Sequence, residues 1–335
     1  MRPATLLFRS ALAALFASAA AAADWPMYGR DLHHSFHNDE DTAISTANVS
    51  KLVHKWFFPT LDAVTASPAV VAGVVYVGDW HGFFWALDAE TGLRKWVFEI
   101  DAYAPANPNP MLLGLNYPDR LGTSGGVITS SAAVADGKVY FAGGKTVYCL
   151  NAADGSLVWN RVVCGNPDAA NCEQDETDPS LIFSSPAVFE GKVYVGVTQD
   201  GRRRSEMRFR GGFVAIDAAT GAIVKRFETD RDGTTTGAVK NRSCGGVWSS
   251  AAIEEVNRLV VFNTADCDFD ALPPFHEAIL ALDIDAAVWD DSALAWYYRP
   301  RESDDCDYDF GASPNVIDIG GVRHVGNAGK DGFYY

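Results

Sequence analysis

An internal repeat constrains this chain more than any other feature. Units open at Ser67 (SPAVVAGVVYVGDWHGFFWALDAETGLRKWVF), at Ser131 (SAAVADGKVYFAGGKTVYCLNAADGSLVWN) and at Ser185 (SPAVFEGKVYVGV, then GGFVAIDAATGAIVKRF). A fourth opens at Ser249 with SSAAIEEVNRLVVFNT and closes with EAILALDIDAAV and LAWYY, and a fifth opens at Ser313. Successive starts lie roughly 55–65 residues apart, and self-similarity at a fixed period marks an array of one supersecondary unit.

Each unit has the same grammar. A short strand leads to a turn at Gly73, Gly137 or Gly191, and a β-branched and aromatic run follows. Next comes an apolar strand ending in Asp88, Asn151 or Asp217, then an A-x-[TD]-G turn, then a strand that carries Trp96, Trp159 or Trp296. Short runs of such residues bounded by Gly and Asp are strands. Asp or Asn caps the turn, and Gly92, Gly155 and Gly221 supply φ > 0. The chain is therefore all-β. A solenoid would need shorter repeats and a sandwich would not repeat its sequence. Four strands per unit, repeated, predict a β-propeller.

Composition enters where partners are concerned. The 335 residues are 48% hydrophobic, enough for an extended core. The net charge of −16 comes without a basic block, which argues against nucleic acid as a partner. The start, MRPATLLFRSALAALFASAAAAADWP, has Arg2 and Arg9 before a short apolar run and an alanine-rich cleavage region. Residues 1–23 read as a cleaved signal peptide and 24–335 as the propeller, in a periplasmic or secreted protein with no membrane span. Six cysteines then face an oxidising compartment. Cys164 and Cys172 are the best local disulfide candidate, and Cys244 and Cys267 could also pair. Sequence alone does not choose among the pairings.

The Trp-bearing A-x-[TD]-G-x-x-x-W turns, with the opening DWPMYGRDLHHSFHN, resemble the pyrroloquinoline quinone (PQQ) repeat of bacterial quinoprotein dehydrogenases. Similarity is greatest to the polyvinyl-alcohol-dehydrogenase-like branch. The resemblance implies four-stranded PQQ-type blades that close a ring of eight. About four and a half blades are counted before Tyr335, so an incomplete ring, and a fragment of a longer protein, is the expectation. LVHKWFFP, around Trp56, looks like the outer strand of the ring's last blade.

The resemblance also implies a site. It would bind PQQ and Ca²⁺ and oxidise an alcohol, with polymeric and secondary alcohols among the candidates. A hard cation takes oxygen ligands and polarises the quinone, and a carboxylate accepts the alcohol proton. Glu206, in E-x-x-x-R-G-x-x-x-A-x-D, is similar to the calcium-ligating Glu, and Asp266, in the TAD turn, stands where the family has a calcium-binding Asn. Trp248, in CGGVWSS, sits where a Trp stacks on the cofactor, and Lys330, in NAGKDG, matches the cation that meets the quinone oxygens. The catalytic Asp falls in DDCDYDFGASPNV. Asp307 is the first choice and Asp309 the second, and Cys306 replaces the usual Trp. There is no vicinal Cys-Cys pair and no CxxCH haem motif, so electrons would leave to a separate cytochrome c or another acceptor. Arginines 202–204 have no role implied by the resemblance. His33-His34 and His276-Glu277 read as surface or turn residues. A non-catalytic propeller that binds other proteins is the alternative reading.

Overall fold

The computed structural model describes residues 23–39, 44–100, 128–163, 180–199, 211–229, 245–266, 275–301 and 308–335. Among the described residues the chain forms antiparallel sheets in sequence order. The first blade is β1 (Ala69–Val71), β2 (Val74–Gly78), β3 (Phe83–Asp88) and β4 (Arg94–Glu99). The second is β5 (Ala133–Ala135), β6 (Lys138–Gly143), β7 (Thr146–Asn151) and β8 (Leu157–Val162). A short β9 (Ser180–Leu181) joins the third blade, β10 (Ala187–Phe189), β11 (Lys192–Gln199), β12 (Gly212–Asp217) and β13 (Ile223–Glu228). The fourth is β14 (Ala252–Glu254), β15 (Leu259–Asn263), β16 (Ile279–Asp283) and β17 (Leu294–Tyr298). A fifth sheet holds β18 (Asn315–Ile319) and β19 (Val322–Gly326).

The repeat grammar explains the blades residue by residue. Ala72–Gly73, Asp136–Gly137 and Glu190–Gly191 each have two successive positive φ angles, as a tight type I′ hairpin turn requires. The third and fourth strands of every complete blade share one register shift, at Ala86/Leu87, Cys149/Leu150, Ala215/Ile216 and Ala281/Leu282. Such a bulge bends and twists the outer strand. Asp88 and Asp217 each accept from two backbone N–H groups and a threonine hydroxyl in the following turn. The threonine bond leads in holding both carboxyls below their ordinary range.

Neighbouring blades are joined by three repeated devices. Apolar faces pack together: Phe84 stacks on Phe141 at 3.9 Å and Phe213 on Phe262 at 4.2 Å. A relay of serines follows the innermost strands. Ser67 N–H donates to Ser131 Oγ (3.0 Å), Ser131 to Ser185 (3.0 Å), Ser185 to Ser250 (2.9 Å) and Ser250 to Ser313 (3.0 Å). The relay fixes the fourth unit's structural start at Ser250, one residue after the Ser249 suggested by sequence. Finally, the outer-strand Trp of each of the first two blades docks on the next blade. Trp96 Nε1 donates to Ala152 O at 3.0 Å and Trp159 Nε1 to Ala218 O at 3.0 Å. The rings lie so close to Gly155 and Gly221 that a Cβ there would stand 2.6 and 2.7 Å away. Trp56 makes the same contact with Ala89 O (2.9 Å) and Gly92, as an outer strand of a preceding blade would, although residues 52–59 form no regular strand.

An N-terminal strap crosses the inner edge of this arc. Trp25 exchanges backbone bonds with Val70, Pro26 O accepts from Val134, Leu32 O from Ile253 and His33 O from Val316. The strap thus occupies N–H groups on β1, β5, β14 and β18 that an open inner edge would leave unpaired. His34 corrects the surface reading of its pair. It is 1% exposed, its Nδ1 lies 2.9 Å from Pro314 O, and burial lowers its pKa to about 4 against that hydrogen bond.

A lowered histidine pKa makes stability pH-dependent. Unfolded His34 titrates at about 6.5, so its contribution is complete above that pH and is lost as pH falls toward 4. The unfolded state binds the extra proton in this window, and the loss reaches about 3 kcal/mol at its lower end. Urea unfolding of wild type and His34→Asn at pH 7 and pH 4.5 checks this. The variant is expected to lack most of the acid-side slope, and parallel pH dependences would contradict the assignment.

Candidate functional site

Every described candidate lies in a connection at one end of the strands. Trp248 and Asp309 precede the inner strands of the fourth and fifth blades. Asp266 follows β15 and Lys330 follows β19. The hairpin turns and the A-x-[TD]-G turns occupy the opposite end, so the repeat topology itself gathers the candidates.

Asp309 is the centre of the cluster. Its neighbour Phe310 is 1% exposed and anchors the segment in a core with Val261, Ile279, Ala281 and Tyr335. Asp309 itself is 2% exposed. Lys330 Nζ stands 2.5 Å from Asp309 Oδ1 and 5.8 Å from the centre of the Trp248 ring. Trp248 Nε1 donates to Asp309 Oδ2 at 3.3 Å, and Lys330 N–H donates to Asp309 O at 3.0 Å. A buried carboxylate is costly unless a charge and hydrogen bonds meet it, and here a lysine and an indole do so. Gly245 and Gly246 bring Trp248 in. Gly245 has φ +62°, and a Cβ on Gly246 would stand 2.6 Å from Thr198 Oγ1.

Two asparagines complete the floor, and the sequence reading did not select either. Asn263 Nδ2 donates to Phe310 O at 3.1 Å, and Asn327 Nδ2 donates to Asn263 Oδ1 at 2.8 Å. Both residues are 0% exposed, and Asn327 Oδ1 is left without a hydrogen-bond partner among the described residues. The usable sequence signal was a polar residue closing an apolar strand, VVFN, where a buried amide must find partners.

The remaining candidates are placed as follows. Asp266 is half-buried and its backbone carbonyl accepts from Gly245 N–H at 3.3 Å, on the approach to Trp248. Glu206 and Asp307 lie outside the described residues, as do arginines 202–204 and Cys164, Cys172, Cys244, Cys267 and Cys306. His276 and Glu277 are 1% and 2% exposed, which corrects the surface reading for both. Among the described residues no group of three or more His, Cys, Asp and Glu could hold a metal, and no helix is long and apolar enough to cross a membrane.

Asp331, next to Lys330, has its own partners. Tyr335 Oη donates to Asp331 Oδ2 at 2.5 Å, Phe333 N–H donates to Oδ1 at 3.1 Å, and Arg301 pairs with the carboxylate. The tyrosine bond leads in lowering the Asp331 pKa, with help from Phe333 N–H and Arg301, and it raises that of Tyr335.

Four four-stranded blades in sequence order and a two-stranded fifth sheet, with polar connections gathered at one end, define the class, a β-propeller fold. The chain belongs to the PQQ family described as the glucose/ethanol/alcohol dehydrogenase β-propeller domain, whose model matches residues 25–335. The dehydrogenase subunit of an alcohol dehydrogenase (quinone) from Gluconobacter oxydans is 28% identical over 93% of this chain and 42% of its own length. A polyvinylalcohol dehydrogenase from a Sphingopyxis species is 24% identical over 81% of this chain and 42% of its own length. The crystal structure of quinohemoprotein alcohol dehydrogenase from Comamonas testosteroni superposes with a TM-score of 0.70 at 23% identity, covering 95% of this chain and 48% of that one. That likeness establishes the fold. The chain spans less than half the length of the curated relatives named here.

Proposed function

We propose that this chain carries the cofactor-binding face of a PQQ- and Ca²⁺-dependent alcohol oxidoreductase of the periplasm. The observation that carries the reading is Asp309, a buried carboxylate bracketed by the Lys330 ammonium and the Trp248 indole. The names of the relatives, alcohol dehydrogenase (quinone) and polyvinylalcohol dehydrogenase, support the same chemistry.

The donor set fits the two groups. Carboxylate and amide oxygens suit a hard cation such as Ca²⁺, and the buried Asn327 Oδ1 offers an oxygen that no protein donor uses among the described residues. Glu206 and Asp266 are the proposed protein ligands. The Trp248 face would lie against a flat cofactor, and Lys330 would meet its oxygens. When bound, PQQ supplies a two-electron acceptor for the hydride of the alcohol carbon.

The protein's own part is proton transfer and orientation. Asp309 Oδ accepts the alcohol O–H proton as general base. Lys330 balances the carboxylate's charge before transfer, and Trp248 Nε1 holds its second oxygen in place. Asn263 fixes the Phe310 carbonyl and so the backbone on which Asp309 is carried. Of the two candidates, Asp309 is the one among the described residues, and its partners suit a base at this face; Asp307, the first choice by resemblance, lies outside them. A separate cytochrome c or another acceptor would collect the electrons.

Reconstitution tests the proposal. The purified chain with PQQ and Ca²⁺ is expected to reduce an artificial electron acceptor when given primary, secondary or polymeric alcohols, and to lose this with a chelator. Absence of quinone binding by absorbance and calorimetry would overturn the reading and leave a non-catalytic scaffold.

A further inference from the structure

Arg301 stands outside the groups named above, yet its guanidinium reaches both segments that carry the Asp309–Lys330 pair. One end pairs with Asp331, the residue after Lys330. The other donates to the backbone carbonyl of Tyr308, the residue before Asp309. The same group lies over the Tyr308 ring, 5.4 Å from its centre, and 3.4 Å from Tyr335 Oη. Arg301 is itself held, because its carbonyl accepts from Arg299 Nε at 2.6 Å.

The need for such a clamp follows from the chain around Lys330. The sequence NAGKDGF places a glycine on either side of the Lys-Asp pair, and Gly332 has φ +84°. Glycine lets the chain make this tight turn, which Gly329 N–H closes on Phe333 O. Lysine adds a flexible four-carbon stem, and the Lys330 side chain is 35% exposed. The turn backbone is tied by Gly329 N–H to Phe333 O, Gly332 N–H to Gly329 O and Lys330 N–H to Asp309 O, but none of these bonds holds the stem that carries Nζ. The planar Arg301 fork adds a side-chain tether between the two segments. Asp331 is the handle on one side, 10% exposed and oriented by Tyr335 and Phe333.

We propose that Arg301 is a positioning residue: through Asp331 and the Tyr308 carbonyl it sets the distance between Lys330 and Asp309. The proposal rests on the reading of Asp309 and Lys330 as working residues, but its structural half is measurable without cofactor. An arginine is required because a lysine is a point donor and cannot hold a carboxylate and a carbonyl in one plane.

The test is competitive acetylation with acetic anhydride, read by mass spectrometry at Lys330, with Lys55 as internal reference on a distant, exposed ion pair. Arg301→Gln is expected to raise the Lys330 labelling rate about tenfold, as does Asp331→Asn, with the double variant no higher than either single one. Lys55 labelling should not change, which separates a local release from unfolding. Arg301→Lys should not restore protection. In the PQQ- and Ca²⁺-loaded protein, Arg301→Gln should lower kcat with KM little changed. Unaltered Lys330 labelling in Arg301→Gln, or full rescue by Arg301→Lys, overturns the proposal. Increased labelling in a protein that shows no alcohol oxidation even as wild type overturns the functional reading instead and leaves the clamp standing.

Discussion

Asp309→Asn is expected to lower alcohol oxidation by the PQQ- and Ca²⁺-loaded protein about 10²–10⁴-fold, the range a general base contributes. The substitution keeps the shape of the side chain and an oxygen that can accept from Trp248 Nε1. It removes the basic oxygen and the counter-charge of Lys330, so the rate should fall far more than the stability. Quinone binding, followed by absorbance, should persist. Asp309→Glu tests placement, because it keeps the charge and moves it by one carbon, and partial activity is expected. Asp307→Asn supplies the contrast. If it abolishes turnover while Asp309→Asn retains it, the base is Asp307 and the order drawn from the sequence stands.

The choice between these two aspartates shows where sequence reading reaches its limit. Asp307 and Asp309 are two residues apart, so an extended chain points both to the same side. Motif resemblance placed Asp307 first and Asp309 second. What supports Asp309 is non-local: burial beside Phe310, a lysine from the following connection and a tryptophan some sixty residues earlier, as the separation of 61 attests, while Asp307 lies outside the described residues. The asparagine floor was missed for a related reason. Asn263 looked like the end of a strand, and nothing local announces that its amide meets Phe310 and Asn327 from the next blade.

The blades were far more legible, because their causes are local. The hairpin turns need a left-handed residue at Gly73, Gly137 and Gly191, and the Asp or Asn before each outer strand makes its bonds within the next few residues. Even so, the serine relay displaced the fourth unit by one residue, and His34, His276 and Glu277 proved buried. Periodicity cannot report on contacts made by a strap or a connection that lies outside the repeat.

Trp159→Ala is expected to destabilise the fold by about 3–5 kcal/mol, the usual cost of truncating a buried tryptophan. Trp159 is 8% exposed, bonded to Ala218 O and packed on Gly221, so its loss opens a void between the second and third blades. A lower urea midpoint with unchanged slope would check this, and a loss under 1 kcal/mol would contradict it. The next junction is built differently. At the position opposite Ala215, where the second blade has Trp159 opposite Cys149, the third blade has Lys225. Its ammonium donates to Ile284 O and Ala286 O, both at 2.6 Å, and lies 5.7 Å from the centre of the Trp289 ring. The fourth blade's turn, from Asp283 to Leu294, is longer than the Asp88–Arg94 turn and places Trp289 beside this position. An indole at this position would meet Trp289, whereas a lysine reaches the carbonyls with a point donor. Lys225→Trp should therefore destabilise rather than restore the repeat, by about 1–3 kcal/mol as overpacking against Trp289.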